Sequence, residues 1–236
     1  MSEAADRPVG FFDSGVGGKC VLDAFRRLCP NEKTVYIADT AHCPYGNRPQ
    51  EEVVRLSEEC VRRLIGRGCK MIVVACNTAT AAAIDYLRGK HPELPFVGME
   101  PALKPAVQAT RSGVVGVLAT AGTFRGRLYN ETKERFAGGV KVLSAVADEF
   151  VGLVERGETD GPEVERAVRA RVEPLLEAGA DRIVLGCTHF PHLKPVIERV
   201  CAGRAEVLDS SDAVARQARR VLAARGLLRG AQADAT

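Results

Sequence analysis

Two cysteines of this sequence, Cys76 and Cys187, stand in similar local settings in different halves of the chain. Cys76 ends the run MIVVAC and is followed by Asn-Thr, whereas Cys187 ends the run RIVLGC and is followed by Thr-His. Each run predicts a strand that leads into a helix, where unpaired N–H groups and a partial positive charge favour a thiolate. A lone cysteine is more often a small buried hydrophobic residue. Two in equivalent positions, each beside hydrogen-bonding residues, indicate chemistry instead.

A pair of thiols on opposite sides of one substrate suits the racemisation of an amino acid. One group removes the α-proton from one face and the other returns a proton to the opposite face, and two identical groups can exchange these roles. The α-proton is weakly acidic, so the developing negative charge needs hydrogen-bond donors nearby. Ser14, Asn77, Thr78 and Thr188 are candidates for that task. A carboxylate and an imidazole beside the thiols would tune which thiol is ionised.

Four polar clusters follow predicted strands and contain most of these candidates. They are Asp13-Ser14, Pro44-Tyr45-Gly46, Cys76-Asn77-Thr78 and Cys187-Thr188-His189. In parallel α/β sheets, ligands bind beyond the carboxyl ends of the strands. We therefore expect the four clusters to converge on one cleft, although they lie far apart in the chain.

Short apolar runs alternate with longer helical patterns along the chain. The predicted strands are Val9–Phe12, Thr34–Ala38, Met71–Ala75, Phe96–Gly98, Val114–Leu118, Lys141–Ala145, Arg182–Leu185 and Glu206–Leu208. Between them, Glu51–Gly66 and Glu163–Ala178 place their apolar residues on one helical face. Apolar strands separated by helices predict an α/β protein, in which helices cover both faces of parallel sheets in three layers.

A weak internal repeat predicts two similar α/β domains. The sequence VGFFDSG resembles VGVLATAG, and MIVVACNTAT resembles RIVLGCTHFP. The spacing pairs Asp13 with Thr120 and Cys76 with Cys187. Such a duplication predicts a pseudo-two-fold axis, with equivalent residues facing each other across an active-site cleft between the domains.

The repeat also predicts where the domains begin and end. We expect residues 1–99 to form the first domain and residues 100–207 the second. The final strand and helix, from about Val207, are expected to return to the first domain, so that residues 208–236 complete it.

Other kinds of site fit the local sequence less well. The segment GFFDSGVGG lacks the spacing of either nucleotide-binding glycine loop, so its glycines are expected to allow a tight turn close to a small anion. Cys187-x-His189-x-x-His192 offers too few ligands for a closed zinc site, and we expect no metal. A cysteine-hydrolase dyad of Cys187 and His189 stays possible, but it leaves Cys76 unexplained.

The composition is that of a folded globular protein with free thiols. Hydrophobic residues make up 46% of the 236 residues, which is too many for a disordered chain. The net charge of +3 is small and scattered, so neither nucleic acid nor a membrane is an expected partner. Residues 1–9 lack the apolar core of a signal peptide, and no apolar run reaches membrane-spanning length. The expected location is the cytoplasm, where the eight cysteines would be reduced.

The motifs, taken together and in order, resemble glutamate racemases of the aspartate/glutamate racemase family. They are GFFDSGVGG, PYG, ACNTATA, GMEPA, ATAGT and GCTHFP, followed by DSSDAVA at the end of the series. The resemblance implies a cofactor-free enzyme that interconverts L- and D-glutamate through two bases and supplies D-glutamate for the peptidoglycan of the bacterial cell wall. It also implies two α/β domains with the site between them, in a protein that is commonly a homodimer.

The same resemblance assigns roles to individual residues. Cys76 would act on D-glutamate and Cys187 on L-glutamate, with Asp13 assisting near Cys76 and His189 near Cys187. The implied substrate-binding residues are Asp13, Ser14, Pro44, Tyr45, Gly46, Asn77, Thr78, Thr120, Thr123, Thr188 and His189.

Some alternatives stay open at the level of sequence. Asp39 and Glu155 lie where the family places acidic residues, but each also fits a carboxylate with no role in the site. A racemase of aspartate or another acidic amino acid would use the same fold. A non-catalytic protein that binds an acidic amino acid would need neither cysteine, so the presence of both counts against it.

Overall fold

The computed structural model describes residues 3–230, which form eight strands and ten α-helices that alternate along the chain. The strands are β1 Val9–Asp13, β2 Thr34–Ala38, β3 Met71–Val74, β4 Phe96–Val97, β5 Val114–Ala119, β6 Lys141–Val146, β7 Arg182–Leu185 and β8 Glu206–Leu208. The helices are α1 Lys19–Leu28, α2 Gln50–Gly66, α3 Asn77–Lys90, α4 Leu103–Ala109, α5 Ala121–Arg125, α6 Arg127–Phe136, α7 Glu149–Glu155, α8 Pro162–Glu177, α9 Lys194–Cys201 and α10 Ser211–Ala224. All eight predicted strands are confirmed, with ends that differ by at most one residue.

The strands form two four-stranded parallel sheets of the same topology. The strand order is β2-β1-β3-β4 in the first sheet and β6-β5-β7-β8 in the second. In the first sheet, β1 and β3 are completely buried, because α2 and α3 pack on one face and α1 and α10 on the other. In the second, α7, α8 and α9 cover one face, and α4 and α6 the other. The prediction of two similar three-layer α/β halves is confirmed.

The pairing register corrects one detail of the internal repeat. Val9 pairs with Met71 in the first sheet, and Val115 pairs with Arg182 in the second. When Cys76 and Cys187 are aligned in the repeat, this register makes Thr120 the equivalent of Ser14 and not of Asp13. The predicted match of Asp13 with Thr120 is therefore wrong by one residue. Because side chains alternate along a strand, that residue decides which side chains face each other across the cleft.

The last strand and the last helix of the described chain belong to different halves. β8 pairs with β7 through Val207 and Leu208, so the expectation that the final strand returns to the first half is wrong. The helix α10 does return, because Val214, Ala218 and Leu222 pack beside α1 on the first sheet. The division of the chain into residues 1–99, 100–207 and 208–236 stays a prediction, and residues 231–236 lie outside the described range.

All eight cysteines are free thiols, as expected for reduced cysteines. None of the helices within residues 3–230 combines the length and the apolar character that crossing a membrane requires.

Candidate active site

The four polar clusters converge on one closed cavity between the carboxyl ends of the two sheets. The cavity volume is about 10 Å³, which leaves room for roughly one water molecule. Its lining residues are Ser14, Pro44, Tyr45, Gly46, Cys76, Asn77, Thr78, Thr120, Val151, Cys187, Thr188 and His189. Both thiols thus face the same enclosed space, each from its own half. Each follows the last residue of its strand, Val74 or Leu185, by two positions.

Cys76 caps the amino end of α3, where its sulfur accepts a hydrogen bond from the Ala79 N–H at 3.4 Å. The Cys76 thiol lies 3.7 Å from Ser14 Oγ, to which it donates. Burial raises the pKa of Cys76 well above its ordinary value, and the nearby Asp13 carboxyl raises it further. These effects outweigh the helix end. The expected thiolate character of Cys76 is therefore wrong for this closed form, in which the thiol is favoured.

Cys187 has a different neighbourhood, dominated by His189. Its sulfur lies 3.8 Å from His189 Nδ1, and His189 Nε2 lies 2.6 Å from Glu155 Oε1. Cys187 leads through a short turn into the 3₁₀ helix Phe190–Leu193, which continues into α9, so its sulfur does not cap an α-helix as that of Cys76 does. The chemistry on this side of the cavity depends on an imidazole and not on a helix end.

His189 is held as part of an ion pair beneath the cavity. Burial lowers the pKa of His189, but hydrogen bonds to Cys187, Cys43 and Glu155 raise it more, so that it lies well above its ordinary value. The hydrogen bond from His189 lowers the pKa of Glu155, against the opposing effect of burial. An imidazolium paired with a carboxylate is the form that this geometry stabilises.

Asp13 lies behind the cavity wall and connects the surroundings of the two thiols. Its carboxylate accepts a hydrogen bond from the Gly18 N–H at 2.7 Å and from Thr188 Oγ1 at 3.3 Å, and Ser14 Oγ lies 3.4 Å away. Burial raises the pKa of Asp13, although His189 partly offsets this. Because Cys76 donates to Ser14 Oγ and Ser14 Oγ donates to Asp13, a hydrogen-bonded path connects the Cys76 thiol with the Asp13 carboxylate.

The glycine-rich turn after β1 serves carboxylates of the protein itself. The Gly18 N–H bonds Asp13, and the Val16 N–H donates to Glu155 Oε1 at 2.8 Å. A Cβ at Gly17 would lie 2.6 Å from His189 Nδ1, so only glycine allows this close approach. The expected closeness of backbone and anion is present, but both anions belong to the protein.

A chain of hydroxyl groups crosses between the halves at one side of the cavity. Thr78 Oγ1 lies 3.0 Å from Thr120 Oγ1, which lies 3.1 Å from Thr123 Oγ1. Thr78 belongs to α3 of the first half, whereas Thr120 caps α5 of the second. Thr123 lies behind Thr120 and does not reach the cavity lining.

The Pro44-Tyr45-Gly46 turn is held from both halves. Tyr45 donates its hydroxyl hydrogen to Asp39 Oδ2 at 2.6 Å, and Arg125 donates to the Gly46 carbonyl oxygen at 2.9 Å. Asp39 therefore has a structural contact that its sequence position alone did not reveal. It holds a cavity-lining side chain without facing the cavity itself.

Sequence reasoning missed two participants, Val151 and Cys43, and left the role of a third, Glu155, open. Val151 of α7 lines the cavity, but its pattern is that of an ordinary core residue. Cys43 lies against Glu155 and His189, within a group of three possible metal ligands. Only the partial signal at Glu155, an acidic residue in an apolar helix, was visible in the sequence.

The surroundings of the cavity combine two thiols, an imidazolium–carboxylate pair and several hydroxyl groups in an enclosed space. Such a site can move protons on two sides of a small molecule and hold carboxylates with hydroxyl and backbone donors. Comparison with known proteins points to the same chemistry. The family model for Asp/Glu/Hydantoin racemase matches residues 19–218.

Individual relatives match nearly the whole chain. The glutamate racemase of Roseiflexus sp. strain RS-1 is 48% identical over 229 residues, which cover 97% of this chain and 84% of the relative. That of Herpetosiphon aurantiacus is 50% identical over 223 residues, with coverage of 94% and 87%. A crystal structure of Escherichia coli glutamate racemase with L-glutamate and the activator UDP-MurNAc-ala has a TM-score of 0.85 at 35% identity, with coverage of 92% and 83%.

These matches show that the chain belongs to the Asp/Glu/Hydantoin racemase family, whose members are isomerases. Within that family, the relatives described above are glutamate racemases, so the resemblance that the sequence motifs indicated is confirmed.

Proposed function

We propose that this protein interconverts L- and D-glutamate by proton transfer between two thiols, without a cofactor. The observation that carries the proposal is the placement of Cys76 and Cys187 at matching positions of two matching sheets, facing one cavity. A cysteine hydrolase would need one thiol and one imidazole. It would leave Cys76, its Ser14 contact and the neighbouring Asp13 without a task.

The neighbours of the two thiols support a direction for the resting enzyme. Cys187 is the base that takes the α-proton of L-glutamate, since His189 lies beside its sulfur and can donate to it. Cys76, favoured as a thiol, is then the acid that delivers a proton to the opposite face. In the reverse direction the roles exchange: Cys76 first gives up its proton, which Asp13 can accept through Ser14, and then takes the α-proton of D-glutamate while Cys187 delivers one.

The substrate-binding roles follow from what lines the cavity. Ser14, Asn77, Thr78, Thr120 and Thr188 supply the hydroxyl and amide groups that hold the two carboxylates. The Pro44-Tyr45-Gly46 turn closes over the substrate from one side, and Thr123 and Asp13 position the groups in front of them. Charge on the α-carboxylate increases as the α-proton leaves, and fixed donors stabilise it most at that point.

The wider setting is also part of the proposal. The L-glutamate in the Escherichia coli structure and the high identity to glutamate racemases support glutamate as the substrate. We propose a cytoplasmic homodimer whose D-glutamate is used in peptidoglycan of the bacterial cell wall.

The substrate assignment is tested by polarimetry on the purified protein, without pyridoxal phosphate or added metal. We expect the optical rotation of L-glutamate to decay to zero, because both enantiomers have the same free energy. Matched solutions of L-aspartate serve as the comparison and should change far more slowly. If the optical rotation of the glutamate solution stays constant while that of the aspartate solution decays rapidly, the enzyme racemises aspartate instead.

A further inference from the structure

Three side chains from separate parts of the chain form a group of possible metal ligands at the edge of the cavity. Cys43 precedes the Pro44 turn, Glu155 is the last residue of α7, and His189 follows β7. The Cys43 sulfur, a Glu155 carboxylate oxygen and a His189 ring nitrogen lie within 4.8 Å of one another. We propose that Cys43, Glu155 and His189 form a binding site for Zn²⁺ or a similar borderline divalent cation, and that binding there inhibits the enzyme.

The donor set is one that zinc accepts. A thiolate, an imidazole and a carboxylate are all common zinc ligands, and three protein ligands leave a fourth position for water. The softness of the thiolate favours Zn²⁺ over Mg²⁺ or Ca²⁺, which prefer oxygen ligands. In the sequence this group was invisible, since its members are not close in the chain.

The geometry needs only a small adjustment to accept an ion. Glu155 Oε1 and His189 Nε2 are 2.6 Å apart, the distance of a hydrogen bond. Zinc–ligand distances of about 2.0–2.2 Å in a tetrahedron require that separation to widen to about 3.3 Å. The ion would take the place of the proton between the two groups. The Val16 N–H, which donates to Glu155, holds the carboxylate in place as outer partners of metal ligands do.

An ion can reach this group from solvent. Cys43 and Glu155 line an open pocket of about 580 Å³ on the side away from the thiols. His189 lines the closed cavity on the inner side. The three ligands therefore form part of the wall between solvent and the two thiols.

Occupation of this site would join Cys43 of the first half to Glu155 and His189 of the second. Because the closed cavity holds only about 10 Å³, the substrate needs this cleft to widen, and an ion that links the two halves opposes that movement. This consequence rests on the proposed function, whereas the binding of the ion does not.

Binding is tested with Co²⁺, which reports its ligands by absorption and replaces Zn²⁺ at such sites. Titration of the metal-free protein should give one Co²⁺ per chain with a thiolate-to-cobalt charge-transfer band, and Zn²⁺ should displace it. The band should disappear in Cys43→Ser. In Glu155→Gln the affinity for Co²⁺ should fall at least about tenfold. The band should persist in Cys29→Ser, a matched change at a buried cysteine elsewhere, and in Cys76→Ser.

Several outcomes would overturn the proposal. A band that survives in Cys43→Ser, or that disappears in Cys76→Ser, would place the ion on the catalytic thiols. Absence of any one-to-one complex would remove the site altogether. Circular dichroism shows whether each variant is folded. If Cys43→Ser does not fold, the Co²⁺ affinity of Glu155→Gln decides whether the site exists.

Inhibition is measured separately, as the loss of racemisation with increasing Zn²⁺. The wild type and Cys29→Ser should be inhibited with the same midpoint, and the midpoint of Cys43→Ser should be at least about tenfold higher. Zn²⁺ that binds by the Co²⁺ criterion without inhibiting would refute the inhibitory role. If no glutamate racemisation occurs at all, the proposed function fails, while the Co²⁺ titration still decides whether the metal site exists.

Discussion

Among single residues, Asp13 has the sharpest conflict between stability and chemistry. Its side chain is completely buried, and its strongest hydrogen bond comes from the Gly18 N–H. Burial of a carboxylate raises its pKa because the charged form loses its hydration. Burial and the neighbouring Asp13 carboxyl also raise the pKa of Cys76, so the protonated form of each group is favoured. A site built in this way gives up folding free energy for proton transfer.

We expect Asp13→Asn to be more stable than the wild type at neutral pH while losing racemisation. Because the pKa of Asp13 is raised in the folded state, the carboxyl group favours folding at low pH, and that stability is lost as the pH rises through its folded pKa. An asparagine stays neutral, so its advantage should increase from pH 4 to pH 7. The gain should appear as a higher midpoint of thermal unfolding for the variant than for the wild type, with a larger difference at pH 7 than at pH 4.

The matched control is Asp23→Asn at an exposed position of α1, which should change stability by less than about 0.5 kcal/mol. Thermal unfolding at several pH values measures both variants. A stability difference for Asp13→Asn that is constant with pH, or a loss of stability at pH 7, would contradict the role given to burial.

At the scale of elements, a buried ion pair fastens the amino ends of the first sheet. Lys70, just before β3, lies 2.7 Å from Glu32, and both side chains are 1% exposed. Lys70 also donates to the backbone oxygens of Ala5 and Leu227, and Glu32 accepts from the Arg229 N–H. These contacts join both ends of the described chain to one point, at the opposite end of the sheet from the cavity.

We expect Lys70→Met to lose about 3–5 kcal/mol of stability, because it leaves the Glu32 carboxylate buried without its cation. Chemical denaturation measures the loss, and kcat of the folded variant should stay close to wild type. Arg27→Met is the control. Arg27 of α1 pairs with Asp212 of α10, but both side chains are about 70% exposed. Equal stability of the two variants would show that the buried pair does not fasten these elements.

The elements themselves were largely predictable, and their partners were not. Apolar runs marked the strands, and β1 and β3, which are buried on both faces, are apolar except for the terminal Asp13. The three residues of β8 contain no information on which sheet they join, and their pairing with β7 was missed. The return of α10 to the first half was predicted, and it packs beside α1 on the face of the sheet opposite α2 and α3. Cys43 and Glu155 were not associated because contacts between distant parts of the chain leave no local pattern.

For the whole molecule, the closed cleft is too small for the proposed substrate. Ligand pockets commonly measure about 300–1,000 Å³, whereas this cavity measures about 10 Å³. Entry of glutamate therefore requires the cleft to widen. We expect contacts across it, such as Thr78 with Thr120 and Arg125 with Gly46, to break and form again in each cycle. Their strength helps to set the balance between open and closed forms.

We expect Arg125→Ala to raise KM about 3–10-fold, because loss of about 1 kcal/mol of hydrogen bonding disfavours the closed form. Arg127→Ala is the control, since Arg127 also reaches across the cleft to Asp85, but both side chains are mostly exposed. Steady-state kinetics with L-glutamate measures both variants. An unchanged KM for Arg125→Ala would show that this contact does not contribute to closure.

Cys76 and Cys187 are proposed to serve opposite faces of one substrate, and proton labelling tests this division most directly. L-glutamate is converted to low extent in heavy water, and the two enantiomers are separated and analysed for deuterium at the α-carbon. We expect deuterium in the D-glutamate formed and none in the L-glutamate recovered, with Cys76→Ser and Cys187→Ser each about 10²–10⁴-fold slower. Equal deuterium in both enantiomers at low conversion, or a near-normal rate in either variant, would contradict the two-thiol mechanism.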